Sequence, residues 1–382
     1  MITSLTLTDF RNHAASRIKT DGARNIVITG PNGSGKTSIL EAISIMSPGT
    51  GLRGASPQDM IRLAMAGGPV PRSPRGPQAI EDCMGWAKGE GGFGVVAELE
   101  DNTEISVAFN ISDTYRKIRI DGDSTALSDL SRHLRLVWIT PREDRLFADA
   151  AADRRAFFDR LVSGFDAAHS GRTARLAKLL SERAFAIKNN ANDKWLTPIE
   201  SQIAATAVSV AAARVLYAGE INYFLSNGAA IYAVSMSGML EEKLAAGQSA
   251  AEAEREYAAY LSQNRELVAD KMTILGPHRT DFGMFNERVG MPVAFTSTGQ
   301  QKAAILALVC AHAKLVRART GASPVILLDE VAAHLDADAR AAFFGELGFA
   351  DAQIWITGLE RSAFEDLEDA KFIGCESGRV CD

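Results

Sequence analysis

The chain has 382 residues, 46% of them hydrophobic and 23% charged, enough to bury a large core as one globular unit or two lobes, which excludes disorder on the whole-chain scale. The net charge of -6 argues weakly against a polyanionic partner, yet Ser131–Lys194 holds 13 Lys and Arg against 8 Asp and Glu, a basic stretch that either meets phosphate or is simply solvated and paired. The opening Met1–His13 lacks a basic region followed by an apolar one, and no stretch approaches eighteen uninterrupted apolar residues, so neither an export signal nor a membrane span is expected and the expected location is cytoplasmic.

The apolar runs Ile203–Ala218 and Ala303–Val316 carry Thr206, Ser209, Arg214 and His312 and read as buried helices. Cys83, Cys310, Cys375 and Cys381 form no C-x-x-C pair, and the histidines show no H-E-x-x-H spacing. Neither a zinc site nor a disulfide framework is indicated.

In chain order, Leu5, Leu7 and Phe10 predict a short strand, Asn25–Thr29 a second strand running into a glycine-rich turn, and Lys36–Met46 a helix. Pro69, Pro71, Pro74 and Pro77 among the glycines between Gly67 and Gly92 predict a mobile loop. Val95–Leu99, Glu104–Phe109 and Arg116–Ile120, with turn residues Asp101-Asn102 and Asp121-Gly122, predict an antiparallel meander. Residues from about 150 to 270, rich in Ala, Leu, Glu and Arg, predict consecutive helices. From Met272 strand and loop return, then a helix Gly299–Arg319, a strand Val325–Leu328, a helix near Asp336–Leu347 and a strand Ile354–Thr357. That alternation predicts a mainly parallel sheet with helices on its faces, and there is no internal repeat.

Gly30-Pro31-Asn32-Gly33-Ser34-Gly35-Lys36-Thr37 matches the phosphate loop G-x-x-x-x-G-K-[ST] at every fixed position, between a strand and a helix. The glycines let successive N–H groups and the helix N-terminus face the phosphates of ATP, Lys36 supplies a cation to the β and γ oxygens, and Thr37 offers its hydroxyl to Mg2+; Ser38 follows in the same turn. Pro324–Glu330 is an apolar strand ending in two carboxylates, the Walker B pattern, with Asp329 the expected magnesium residue and Glu330 the expected polariser of the attacking water. Ser297-Thr298-Gly299-Gln300-Gln301 opens a helix roughly thirty residues before Asp329. A signature at that place in ABC ATPases meets the γ-phosphate held by the opposite subunit, which makes Ser297, Gly299 and Gln300 nucleotide-binding candidates. Val331–Asp336 resembles the D-loop of that class, and no N-K-x-D guanine motif is present.

About 290 residues separate Lys36 from Asp329. That is more than transporter ATPases place between these motifs, and too little for a coiled coil of SMC length. The expected fold is α/β: a P-loop ABC-type ATPase head with an antiparallel β meander plus a helical lobe, its halves at 1–150 and 271–382 and the lobe at 151–270.

Across essentially its whole length the chain resembles the RecF family of the SMC-like ABC ATPases. Leu7–Asn12 resembles the family's L-x-x-F-R-N, Leu40–Ile43 continues the phosphate-loop helix in the family manner, and Thr140-Pro141 with Asp153–Asp159 resembles its P…RR-x-F-L-D. Gly276–Asp281 resembles G-P-H-R-D-D with Thr280 for an aspartate, and Ser297–Lys302 matches S-x-G-Q-Q-K. Thr357-Gly358 stands where transporter ATPases carry a switch histidine.

The resemblance implies Arg11 near the nucleotide base, ATP and Mg2+ as cofactors, an ATP-dependent homodimer, and slow, DNA-stimulated ATP hydrolysis used as a switch. It also implies binding of single-stranded and gapped or junction duplex DNA, RecR- and RecO-like partners, and a place in recombinational repair, replication-gap repair and the SOS response. Arg154 and Arg155, in the basic stretch, are the candidate DNA-phosphate contacts; pairing with Asp153 or Asp159 is the competing explanation. The alternative function is a stand-alone ABC ATPase energising a transporter.

Overall fold

The computed structural model describes residues 1–62, 91–227, 232–269, 274–322, 324–331, 337–349, 351–365 and 367–381. The expected loop at 67–92 and the D-loop residues after Val331 lie almost wholly outside the described residues. In chain order the elements are β1 Ile2–Phe10, β2 His13–Lys19, β3 Asn25–Thr29, α1 Lys36–Ser44, β4 Gly92–Leu99, β5 Glu104–Asn110, β6 Lys117–Ile120, β7 Asp123–Ser124 and β8 Leu136–Ile139. They continue with α2 Ala151–Phe165, α3 His169–Lys188, α4 Asp193–Ser226, β9 Tyr232–Ser237, α5 Met239–Ala245, α6 Ala250–Gln263, β10 Asp281–Asn286, β11 Met291–Pro292 and α7 Thr298–Thr320. Last come β12 Val325–Leu328, α8 Ala337–Phe349, β13 Gln353–Gly358, β14 Ala370–Glu376 and β15 Arg379–Cys381.

The chain divides into two compact units, Met1–Glu143 with Val316–Asp382, and Asp144–Leu315. The first holds two six-stranded sheets. One is antiparallel, in the order β2-β1-β4-β5-β6-β7, and contains the expected meander. The other runs β15-β14-β3-β13-β12-β8, parallel except for β15. Its strands β12 and, at the edge, β8 are continuous apolar runs because both faces are covered: both strands are buried throughout. Leu5, Leu7, Ile26, Ile28, Ile39, Ile43 and Trp355 join one core, which fixes β3 and α1 and with them the two ends of the phosphate loop.

Five strands here, β2, β7, β8, β14 and β15, have no counterpart among the elements predicted from the sequence. β2 buries only His13, Ser16 and Ile18 on its inner side, too polar a set to read as alternation, and β8 is four residues long. A two-residue turn, Arg11-Asn12, joins β1 to β2, with Arg11 in the left-handed region at φ 55°.

The second unit is mainly helical, around Leu176, Ile203, Ala207, Val208, Ala211, Tyr257 and Leu261. The consecutive helices expected from about 150 to 270 are present but interrupted by one strand, β9, which pairs antiparallel with β10 from Tyr232↔Asn286 to Ser237↔Asp281. Its alternation was masked by the helix-forming composition on either side. By length and composition alone α4 is apolar enough to cross a membrane, but half of its most apolar window is buried inside the protein.

Candidate nucleotide-binding site

The phosphate loop leaves the C-terminal end of β3 and feeds α1, as expected, and lines a cavity of about 460 Å3 in the first unit. Gly35 sits at φ 115°, and a Cβ there would fall 2.6 Å from His13 Nε2 and 2.7 Å from Asn12 Nδ2. Only glycine permits that approach. The loop's rear is held by groups the sequence reading left out. Asn12 Nδ2 donates to Ser34 O at 2.9 Å, His13 Nε2 meets Gly35 O at 3.1 Å, the Gly378 N–H donates to Ser34 O at 2.8 Å, and the Cys375 thiol donates to the same carbonyl at 3.3 Å. Burial lowers the His13 pKa, against its bonds to the Gly35 and Gly378 carbonyls.

Lys36 is buried, and its Nζ donates to Gly30 O at 2.7 Å and Pro31 O at 2.9 Å. An ammonium has three donors, so one remains for a phosphate oxygen. Ser34 Oγ is buried with no hydrogen-bond partner among the described residues. Pro31, Asn32 and Gly33 are exposed, Gly30 and Thr37 half-buried, and Ser38 buried.

Asp329 joins this loop from the end of β12. Thr37 Oγ1 donates to Asp329 Oδ1 at 2.9 Å and Thr357 Oγ1, from β13, donates to the same atom at 2.8 Å. Burial raises the Asp329 pKa; the two hydroxyls oppose this and the neighbouring Glu330 adds to it. Because Thr37 spends its proton on the carboxylate, its lone pairs stay available to a cation. Glu330 lines the cavity with its backbone at φ 57°, and its N–H donates to Thr357 Oγ1 at 2.9 Å. A non-glycine residue in that region costs on the order of 1–3 kcal/mol and persists where the surroundings hold it. Thr357, singled out in the sequence only as a departure from transporter ATPases, therefore ties both acidic residues together.

Arg11 lines the same cavity, along with Arg53, Asp59 and Ile61. Its guanidinium forks onto the fully buried Glu41, Nε to Oε2 at 2.8 Å and Nη2 to Oε1 at 2.6 Å, and Arg53 approaches Glu41 at 3.5 Å. Glu41 thus fixes a positive rim on the cavity. Arg11, Asn12 and Glu41 lie inside motifs legible in the sequence; His13, Arg53, Cys375 and Gly378 carry no local signal.

Ser297, Gly299 and Gln300 belong to the second unit and are exposed at the start of α7. Ser297 and Gln300 form a reciprocal capping box: Gln300 N donates to Ser297 Oγ at 3.4 Å and Ser297 N to Gln300 Oε1 at 3.2 Å. Arg154 and Arg155, in α2, are engaged by the fold. Arg154 makes a bidentate pair with Asp281, at 2.8 and 2.7 Å, and Arg155 Nη1 donates to Thr280 O at 2.8 Å. This supports the structural explanation, with Asp281 as the carboxylate in place of Asp153 or Asp159, and it joins the two segments Asp153–Asp159 and Gly276–Asp281 that the sequence marked separately.

A family model described as the RecF/RecN/SMC N terminal domain matches residues 1–379. The DNA replication and repair protein RecF of Rhizobium johnstonii is 36% identical over 388 aligned positions, covering 99% of this chain and 98% of its own. That of Brucella suis biovar 1 is 36% identical over 387, covering 99% and 95%. Among solved structures, a recombination mediator protein RecF with ATP, of the RecFOR pathway, aligns with a TM-score of 0.77 at 20% identity, covering 100% of this chain and 98% of that one. An Smc head domain from Pyrococcus furiosus aligns at 0.50 and 14%, covering 99% and 94%. At these identities the two structures speak for the fold: an ABC-type ATPase head with a helical lobe.

Proposed function

The chain belongs to the RecF family of DNA replication and repair proteins, within the RecF/RecN/SMC N-terminal domain group, and from that premise we propose that it is an ATP-operated switch acting on DNA during recombinational and replication-gap repair. The observation that supports the reading is the chain of contacts Thr37–Asp329–Thr357–Glu330 beside the phosphate loop, a hydroxyl–carboxylate pair and a second carboxylate next to one cavity, of which Thr37 and Glu330 are lining residues.

The donor set fits ATP with magnesium. The glycine cradle, the free donor of Lys36 and the orphan Ser34 hydroxyl suit phosphate oxygens, and a hydroxyl beside a carboxylate suits a hard cation. Thr37 and Asp329 would hold Mg2+, which when bound neutralises phosphate charge. Lys36 binds and orients the β and γ phosphates, Arg11 borders the base side of the cavity, and Glu330 accepts the proton of the attacking water. Thr357 keeps Glu330 in place. Hydrolysis is slow and resets the switch.

Ser297, with Gly299 and Gln300, acts on the nucleotide of a second copy, so the active form is a homodimer with two ATP molecules at its interface. Single-stranded and gapped or junction DNA, with RecR- and RecO-like proteins, are the partners proposed. What supports the dimer reading is the exposure of the signature at a helix start, where the N–H groups outside the capping box, those of Thr298 and Gly299, can turn to an anion.

The test mixes Ser297→Arg with Lys36→Met. Each is expected to be inactive alone, and the mixture to regain partial ATP turnover, because one composite site then keeps Lys36 from one chain and Ser297 from the other. Turnover by Ser297→Arg as a monomer would refute action across the interface.

A further inference from the structure

The end of the α3–α4 hairpin in the helical unit contributes no residue to the lining of the nucleotide cavity. α3 ends at Lys188 and α4 begins at Asp193, so residues 189–192 form the tip of a helical hairpin. Phe185, one turn before the tip, and Trp195, just after it, are each 70% exposed. Two large aromatic side chains left in water at one tip mark a contact surface, unlike single apolar residues scattered over a protein.

The charges around them are unequal. Lys178, Lys188 and Lys194 are exposed, as are the carboxylates Glu182 and Asp193. Glu182 already faces Lys178 at 3.8 Å, and Asp193 already faces Arg265 at 2.6 Å. Lys188 and Lys194 are therefore the surplus, with no ion-pair partner among the described residues. Asn190 and Asn192 add exposed amides between them.

We propose that this tip binds single-stranded DNA, Phe185 and Trp195 stacking on unpaired bases and Lys188 and Lys194 meeting the phosphates. The occupant follows from the combination. A single strand presents flat π faces and regularly repeated negative charge together. A duplex keeps its base faces inside the stack, and an acidic protein surface brings the charge without the faces. DNA is chosen over RNA because the chain's relatives are DNA replication and repair proteins. None of these residues lines the nucleotide-binding cavity, and binding at the tip needs neither ATP nor a dimer.

Trp195 is also the reporter. Of the four tryptophans, Trp138 and Trp355 are buried, and a Trp86→Phe background removes one more emitter. Oligo(dT) titrated into that protein without nucleotide is expected to quench its emission, whereas a blunt duplex of equal length leaves it unchanged. Trp195→Ala, followed by anisotropy of labelled oligo(dT), is expected to weaken binding about tenfold or more, with most of the affinity kept in Trp195→Phe. Lys188→Ala with Lys194→Ala is expected to flatten the slope of log K against log salt by about 1.4. Absence of quenching in protein that still binds ATP would overturn the tip assignment and leave the proposed ATP switch standing. Unchanged oligo(dT) affinity in Phe185→Ala and Trp195→Ala would likewise overturn it. Quenching retained in Lys36→Met, which should lose ATP, supports the tip as an independent site.

Discussion

Thr357→Val keeps the shape of a fully buried side chain and removes the one oxygen that joins Asp329 to Glu330. The lost hydroxyl donates to Asp329 Oδ1 at 2.8 Å and accepts the Glu330 N–H at 2.9 Å. Stranding that N–H costs about 1–3 kcal/mol, at a residue whose backbone lies at φ 57° and needs support to stay there. If the loss falls on the placement of Glu330 in the transition state, hydrolysis drops about 5- to 150-fold. Asp329 keeps the Thr37 hydroxyl but loses the larger of the two bonds that oppose its burial, so its pKa rises further. Magnesium needs the carboxylate form, and the acid limb of the rate profile therefore moves to higher pH. Single-turnover ATP hydrolysis from about pH 5 to 8, with ATP binding measured separately, checks both effects, and Thr357→Ser should restore them. A folded Thr357→Val protein with an unchanged rate and acid limb would refute the reasoning.

Lys36→Met removes the buried ammonium and should abolish ATP binding in a filter assay, and with it dimerisation and whatever part of DNA binding depends on ATP, leaving nucleotide-independent binding at the helical tip; normal affinity for ATP would remove the phosphate-loop assignment. Glu330→Gln should slow hydrolysis by roughly 10² or more while ATP binding survives, measured by turnover and equilibrium binding on the same protein. Arg154→Ala and Asp281→Asn should each destabilise the fold and show a coupling of about 1 kcal/mol in a double-mutant cycle, discounted because Asp281 is partly exposed. The salt slope of DNA binding should stay unchanged, and a slope flattened by about one unit would restore Arg154 as a phosphate contact. His312, fully buried and 2.9 Å from the Tyr217 hydroxyl, has its pKa pushed down to about 3 by burial, so the unfolded chain binds a proton there that the folded one does not. Its stability contribution is complete above about pH 6.5 and falls by up to ~1.4 kcal/mol per unit as pH drops towards about 3; urea unfolding at several pH values should show that slope reduced in His312→Asn.

The parts of the site legible in the sequence are those written contiguously. Gly30–Thr37 and Val325–Glu330 need only a strand, a turn and the residues at its end, and the structure has both where their patterns put them. The supports are assembled from distant places. Thr37 and Asp329 are 292 residues apart, and Cys375 reaches Ser34 across 341, so no window along the chain contains the pair. The same distance explains Arg154. Its near neighbours Asp153 and Asp159 were the obvious carboxylates, while Asp281, 127 residues away, is brought to it by the fold. Asp159 instead serves Arg214 and His169. Among strands, β12 reads easily because four apolar residues stand between breakers, whereas β9 sits in helix-rich surroundings and depends on β10 for its hydrogen bonds.

Sedimentation velocity of Glu330→Gln with and without ATP tests the ATP switch most directly. A chain that closes around two nucleotides should sediment as a monomer alone and as a stable dimer with ATP and magnesium, since hydrolysis no longer resets it. A protein that stays monomeric at saturating ATP would contradict the account.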